Sequence, residues 1–257
     1  MTVFEILQPG ARIELTDRDA AFALQGLLST IESRLSEAAI ALHLFQEVHQ
    51  HDLAQLKDRG SESREDMTEA VDYTELISEH GGDGRTFLIE LCKRMLEAKR
   101  GRWRAGEVPQ AYTTRLPFLY ARAFLFSLWD IRRVLGRVLT FNGIPPAATI
   151  AVGEFDSALP ILKGLRDSSA HTDERVVGQT RGHQIVTKPI HTGFINAPGG
   201  GVLVIESLVG DKFTGTTADG DLAEIAVSAD TMKVVQRCFQ QILNSLPWSG
   251  PGRYYPD

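Results

Sequence analysis

The sequence contains little cysteine. Its 257 residues include two, Cys92 and Cys238, which lie far apart and each stand in an apolar, helix-like pattern. A disulfide framework or a zinc knuckle needs more thiols at closer spacing. We therefore expect two reduced cysteines in the core, and neither a disulfide framework nor a zinc knuckle.

A long apolar run is also missing. A membrane-spanning helix needs about 20 consecutive apolar residues, and the nearest candidate, from Leu116 to Leu128, is shorter and carries Arg122. The opening residues, Met1 to Ile6, show no basic segment followed by an apolar one, as a secretory signal would. These absences predict a cytoplasmic protein that has no membrane partner.

Motifs of several common enzyme classes are absent. Gly199-Gly200-Gly201 precedes a strand-like segment and lacks the Lys-Ser or Lys-Thr of a phosphate-binding loop. The sequence has no Gly-x-Ser-x-Gly elbow and no dinucleotide-binding fingerprint. These gaps leave kinase, hydrolase and dehydrogenase functions without support.

The histidines form no pattern typical of a metal site. His49 and His51 are two residues apart and face different ways on a helix, and His43 does not complete a ligand set with them. His183 and His191 have no obvious carboxylate or thiol partners. We expect neither a metal ion nor another cofactor.

Charge is abundant and unevenly placed. The formal net charge is -6, which argues against nucleic acid coating the whole surface but not against a local basic site. Residues before Phe87 are rich in Asp and Glu, whereas residues 93–137 are rich in Arg and Lys. This asymmetry suits either contact between oppositely charged faces or a basic surface for phosphates.

Helical patterning dominates the first 178 residues. Apolar residues recur there at helical spacing, in segments bounded by capping residues and glycines. Thr16 is the predicted N-cap of the first helix, and the fourth helix is the most apolar and is expected at the centre of a bundle. The predicted helices cover residues 20–60, 63–80, 84–101, 116–141 and 145–178.

Strand-like patterning follows from residue 179. The predicted strands are 193–196, 202–209, 212–217 and 222–227, separated by glycine-containing turns, and Ser228 caps a final helix before an irregular tail. Helices followed by strands indicate an α+β protein that is mainly α. We expect a helical bundle over residues 1–178 and, over residues 179–257, a small antiparallel β-meander with the closing helix and tail, packed together as one unit.

One short segment concentrates side chains that do chemistry: Arg166-Asp167-Ser168-Ser169-Ala170-His171, followed by Arg175. In a continuous helix Asp167, His171 and Arg175 are four residues apart and share a face. Arg166 would point about 140° away from His171, because each residue turns by about 100°. Convergence of Arg166 and His171 therefore needs a bend, a helix end or a second copy of the segment from another subunit.

This segment resembles the Arg-x(4–6)-His motif of the HEPN superfamily (higher eukaryotes and prokaryotes nucleotide-binding domains), in which a polar residue such as Asp often follows the arginine. Its place late in a helical bundle, after a very apolar helix, is similar too. The resemblance covers roughly residues 16–178 and leaves the strands and final helix outside. It implies a homodimer whose paired motifs meet, metal-independent cleavage of RNA, and a stress or phage-defence role.

Carried over residue by residue, the resemblance implies that His171 is a general acid or base. Arg166 would bind and neutralise the scissile phosphate, and Asp167 would orient one of these two residues. Ser168 and Arg175 are supporting candidates, and Arg175 is included because it shares the face of His171.

Two alternatives remain open. Arg100, Arg102, Trp103 and Arg104 interleave basic charge with an aromatic ring, as an RNA contact would, or they form a solvated helix end, where cations favour the dipole. The second alternative concerns the whole chain, which would then be a non-catalytic protein that dimerises and binds a protein partner. Exposure of Arg166 and His171 in a cleft would favour RNA, whereas burial of His171 without an adjacent cavity would favour the alternative.

Overall fold

The computed structural model describes residues 2–55, 77 and 83–256, without the side chains of residues 50–55. The chain forms two compact units, Met1–Phe45 with Phe118–Asp257, and Gln46–Pro117. The first unit holds every described strand, the first helix as far as Phe45 and the helical residues from Phe118 onward. The predicted division at residue 178 stays a prediction, and the predicted helix 63–80 lies outside the described residues, apart from residue 77.

The described part is α+β and mainly α, as the sequence predicts. Its helices are α1 (Arg18–Gln55), α2 (Gly84–Arg104), α3 (Gln110–Thr113), α4 (Leu116–Val138), α5 (Pro146–Ala158), α6 (Leu162–Ala170), α7 (Thr172–Val176) and α8 (Ala229–Ser245). Its strands are β1 (Ile6–Gln8), β2 (Arg12–Ile13), β3 (Gln179–Thr180), β4 (His183–Gln184), β5 (Ile190–His191), β6 (Asn196–Ala197), β7 (Ser207–Val209), β8 (Lys212–Thr216), β9 (Leu222–Ala226), β10 (Trp248–Ser249) and β11 (Arg253–Tyr255).

Helix caps are decided by which side chain reaches the free N–H groups. Asp17, and not Thr16, caps α1, because its Oδ1 accepts hydrogen bonds from the N–H groups of Asp19 and Ala20 at 2.9 and 3.1 Å. Ser228 caps α8 as predicted, and its Oγ accepts from the Thr231 N–H at 3.2 Å.

The helical stretch predicted over residues 145–178 is interrupted twice, since the chain forms α5, α6 and α7 there. Pro160 explains the first interruption, because proline lacks an N–H group and pushes Leu159 before it out of helical geometry (φ -128°, ψ 55°). The second interruption is at His171, whose φ of -115° and ψ of 48° are not helical. His171 therefore lies at a helix end and not in the middle of a helix.

The largest sheet is antiparallel, with β8 between β7 and β9. The predicted strands 212–217 and 222–227 correspond to β8 and β9, while only the end of the predicted strand 202–209 is extended, as β7. The predicted strand 193–196 is replaced by the turn and second strand of the β5–β6 hairpin. A further hairpin, β3–β4, was not predicted.

The two ends of the first unit pair with each other. β1 runs antiparallel to β11, with Ile6 opposite Tyr255, and β2 runs antiparallel to β10, with Ile13 opposite Trp248. The tail, expected to be irregular, thus forms two short strands.

The core of the first unit is built on α1, α4, α5, α8 and the inner face of the β7–β9 sheet. Its largest fully buried side chains are Phe45, Phe124, Phe155, Phe213 and Phe239. No residue of α2 is buried. No described helix combines the length and the apolar character that crossing a membrane would require.

The two cysteines differ. Cys238 is buried in α8, and burial raises the pKa of its thiol, whereas Cys92 in α2 is exposed. The prediction of two core cysteines is therefore wrong for Cys92.

Candidate functional site

The helix break places His171 between α6 and α7. Its N–H still donates to the Asp167 carbonyl at 3.1 Å, and its carbonyl accepts from the Arg175 N–H at 3.1 Å. Its side chain is exposed. No hydrogen bond among the described residues occupies its ring nitrogens, so the imidazole is free to meet a ligand.

His171 lines a cavity of about 830 Å³, which we call the His171 groove. Its walls come from α6 and α7, from the β3–β4 hairpin and from the loop between β8 and β9. Asp167 and His171 both contribute to the helical wall. The volume lies within the range of about 300 to 1,000 Å³ that small-ligand sites occupy. His171 is thus exposed beside a cavity and not buried against Asp167.

Asp167 is held as a carboxylate. Its Oδ2 accepts from Lys163 Nζ at 2.7 Å and its Oδ1 from Arg166 Nη1 at 3.2 Å. Burial acts to raise the pKa of Asp167, but these two hydrogen bonds and their charges outweigh it, so the pKa lies below its ordinary value. Among the described hydrogen bonds of Asp167, none joins its carboxylate to His171. The geometry matches a role in orienting Arg166.

Arg166 lies on a different face from the groove. Its guanidinium carbon is 5.2 Å from the centre of the Phe126 ring on α4, at cation–π distance, and it does not line the His171 groove. Its Nε is buried without a hydrogen-bond partner among the described residues. A single chain therefore does not bring Arg166 and His171 into one cavity. Asp167 is the residue that both accepts a hydrogen bond from Arg166 and lines the groove.

Arg122 shares the Phe126 ring with Arg166, with its guanidinium carbon 5.6 Å from the ring centre. Its Nη2 donates to the Ser169 carbonyl at 3.1 Å, and its Nε lies 3.6 Å from Glu206 Oε1. The Ser169 hydroxyl donates to the same carboxylate. This cluster is not among the site residues predicted from the sequence, although a charged residue inside the most apolar helix is a signal that could have revealed it.

Ser168 and Arg175 hold the groove together from inside. Arg175 is 3% exposed, its Nε donates to Ser168 Oγ at 2.9 Å, and its Nη1 donates to the Gln179 carbonyl at 2.6 Å. Ser168 Oγ in turn donates to the Thr216 carbonyl of β8. These contacts attach α6 and α7 to β3 and β8, so both residues hold the walls of the His171 groove together.

The β3–β4 hairpin brings two further groups to the groove, Arg181 and His183. Both side chains are exposed. The turn consists of Arg181 and Gly182, which both have positive φ, 49° and 78°. The Arg181 N–H donates to Glu174 Oε2 at 2.7 Å, which ties the turn to α7. Neither residue was singled out as a site residue from the sequence, because the hairpin was not predicted.

The second basic segment lies in the other unit. Arg100, Arg102, Trp103 and Arg104 occupy the end of α2, where cations are favourable for a helix dipole. Trp103 is 40% exposed, and Arg102 Nε lies 3.1 Å from Glu107 Oε2. Within its own unit the segment presents charge and an aromatic ring.

Among the described residues, no three His, Cys, Asp or Glu side chains are grouped as metal ligands would be. The chain matches no protein-family model, no curated protein and no solved structure. The HEPN resemblance therefore rests on the sequence features that suggested it.

Proposed function

We propose that this protein binds and cleaves RNA without a metal ion, as a homodimer in which His171, Arg166 and Asp167 carry the reaction. The observation that supports this proposal is the exposed imidazole of His171 at a helix break, facing a groove that Asp167 also lines. Asp167 accepts a hydrogen bond from Arg166, so the three residues of the motif are linked around one carboxylate.

The exposed imidazole suits proton transfer. Cleavage of RNA by its own 2′-hydroxyl needs a group that removes the hydroxyl proton and a group that protonates the leaving oxygen. An imidazole can do either near neutral pH. Positioned acid–base groups typically contribute about 10²- to 10⁴-fold to a rate, which sets the size of the effect expected from removing His171.

The proposal needs a second copy of the chain, because Arg166 lies outside the groove that His171 lines. Within one chain Arg166 packs on Phe126 outside the groove, so it reaches a phosphate held at His171 only if a second copy supplies the opposing surface. The resemblance implies such a pairing of motifs. In this arrangement the Arg166 guanidinium would neutralise the phosphate of an RNA bound at the partner's groove.

Charge limits how tightly RNA can bind. Three basic side chains and four carboxylates line the groove, and the formal net charge of the chain is -6. We therefore expect RNA to be held by a few local contacts, with a shallow dependence of affinity on salt.

The test is cleavage of a mixed RNA pool by purified protein in the presence of EDTA. Wild type should cut, and His171→Ala should lose at least about 100-fold in rate. His191→Ala is the matched control, because His191 is also exposed but lies on β5 and does not line the groove. A folded wild-type dimer that leaves the pool intact would contradict catalysis.

An interaction role is the second candidate, favoured by exposed apolar side chains in the strand region. Val186 and Phe194 are each 81% exposed, and isolated apolar groups of this size can anchor a protein partner. If neither wild type nor His171→Ala cuts RNA, a Phe194→Ser variant that loses a partner retained by wild type would support this candidate.

A further inference from the structure

We propose that the β3–β4 hairpin completes the catalytic site, with His183 as the second acid–base group and Arg181 as a phosphate contact. This inference rests on the proposed function and adds residues that lie outside the Arg166–His171 motif. It makes the groove of a single chain a two-histidine site for a phosphodiester of single-stranded RNA.

The first argument is the shared cavity. His171 at the α6–α7 break and His183 on β4 line the same groove, and both are exposed. Arg166 lies outside that groove, so within one chain Arg181 and Lys163 are the basic side chains on its wall that are not buried. An arginine fork and a lysine suit a phosphate oxygen pair.

The second argument is the turn itself. A two-residue hairpin turn with positive φ at both positions favours Asn or Asp followed by Gly, because an ordinary side chain is strained there. Here the first position is Arg181, with φ of 49°. The chain therefore bears a conformational cost at a position where asparagine would relieve it. Contact between its guanidinium and a bound phosphate would account for an arginine at this position.

The chemistry balances with two imidazoles and no other reagent. One imidazole accepts the 2′-hydroxyl proton while O2′ attacks phosphorus, and the other, protonated, gives its proton to O5′ as the P–O5′ bond breaks. The products are a 2′,3′-cyclic phosphate and a 5′-hydroxyl, and exchange with water restores both imidazoles. Neither step changes an oxidation state.

Three of the four carboxylates that line the groove accept hydrogen bonds from described residues. Asp167 accepts from Lys163 at 2.7 Å, Glu174 accepts from the Arg181 N–H at 2.7 Å, and Asp221 accepts from Lys188 at 2.6 Å. The remaining charged side chains on the wall are Arg175 and Asp219. The Arg175 guanidinium is buried and hydrogen-bonded to Ser168 and Gln179, so the cations that one chain offers to a bound phosphate are Arg181 and Lys163, beside the Arg166 that the proposed function takes from a second copy.

The test compares His183→Ala, His171→Ala, His191→Ala and wild type on one fluorescent single-stranded RNA oligonucleotide with EDTA. We expect both groove variants to lose at least about 100-fold in cleavage, His191→Ala to match wild type, and the wild-type products to end in cyclic phosphate. If His171→Ala is inactive while His183→Ala cuts like wild type, this inference is overturned and the proposed function stands. If wild type does not cut, both fall together.

Arg181→Asn provides a second test, because it should preserve or raise the stability of the fold while it lowers the affinity for RNA. Asparagine suits the turn, so the variant should unfold at the same or a higher urea concentration than wild type. Its affinity for the oligonucleotide, measured by fluorescence anisotropy in the His171→Ala background to prevent cleavage, should fall about tenfold. Unchanged affinity in a folded Arg181→Asn protein would overturn the assignment of Arg181.

Discussion

Two arginine-containing segments of the molecule, α2 and the α6–α7 pair, differ in how many of their residues are buried. α2 has no buried residue along Gly84–Arg104. In α6 and α7 the buried residues are Leu162, Leu165, Ser168, Ser169 and Arg175. Arginine therefore stands at the surface of α2, where Arg102 Nε lies 3.1 Å from Glu107 Oε2, and inside the structure on α7, where Arg175 is 3% exposed. Burial and hydrogen bonding, and not composition, decide how much an arginine contributes to stability.

Removing an apolar anchor from α6 should give the largest effect on stability. Leu165 is 1% exposed, and a buried Leu→Ala change loses transfer free energy and leaves a cavity, at a cost of about 3 kcal/mol. Leu88→Ala on α2 is the matched control, because Leu88 is 59% exposed and a surface change costs less than about 0.5 kcal/mol. Urea unfolding of both variants measures the contrast, and equal losses would contradict it.

Removing the internal arginine should be next in size. Arg175→Ala leaves the Gln179 carbonyl without its 2.6 Å donor and opens a gap beside Ser168, and an unsatisfied buried acceptor costs about 1 to 3 kcal/mol. We expect a loss of about 2 kcal/mol in the free energy of unfolding. Arg100→Ala on α2 should change it by less than about 0.5 kcal/mol. A stability of Arg175→Ala equal to that of wild type would show that these contacts do not hold α7.

His171→Ala, at the α6–α7 break, should abolish activity and leave stability almost unchanged. The side chain is exposed, and its removal should change the free energy of unfolding by less than about 0.5 kcal/mol while RNA cleavage is lost. Thermal unfolding beside the cleavage assay measures this. A large drop in melting temperature would assign His171 to the fold and not to the site.

Asp167→Asn should give the smallest change in the free energy of unfolding, and this change should depend on pH. Because the folded pKa of Asp167 lies below the ordinary value, its carboxylate stabilises the fold above the unfolded pKa of about 4 and loses this contribution as pH falls through the folded pKa. Urea unfolding of wild type and Asp167→Asn at near-neutral and strongly acidic pH measures it. The wild-type advantage should shrink toward acid, and a constant difference would contradict the linkage.

Local patterns were sufficient for much of the fold. α4, α8 with its Ser228 cap, and β8 and β9 were predicted because periodicity and capping are short-range properties. Pro160 was also a local signal for a helix break, so the first interruption of the helical stretch predicted over residues 145–178 could have been read from the sequence.

Other features depend on contacts that no local pattern reveals. The break at His171 accompanies the burial of Arg175 against Ser168 and Gln179, which are brought together by the strands. The β3–β4 turn escaped prediction because Arg181 stands where Asn or Asp would have marked it. The motif and the angular separation of Arg166 from His171 were expected from helical geometry, whereas the groove itself was not, because one of its walls is the unpredicted β3–β4 hairpin.

The pairing of β1 with β11 bears on the order in which the molecule forms during synthesis. Gln8 and Arg253 are joined by a 3.0 Å hydrogen bond across 245 residues of chain, and Gln46–Pro117 separates the two segments of the first unit. A ribosome releases the chain from its N-terminus, at about 5 to 20 residues per second. Strand β1 therefore cannot pair with β11 until Arg253, 245 residues after Gln8, has been synthesised, and we expect slow closure governed by this long-range contact.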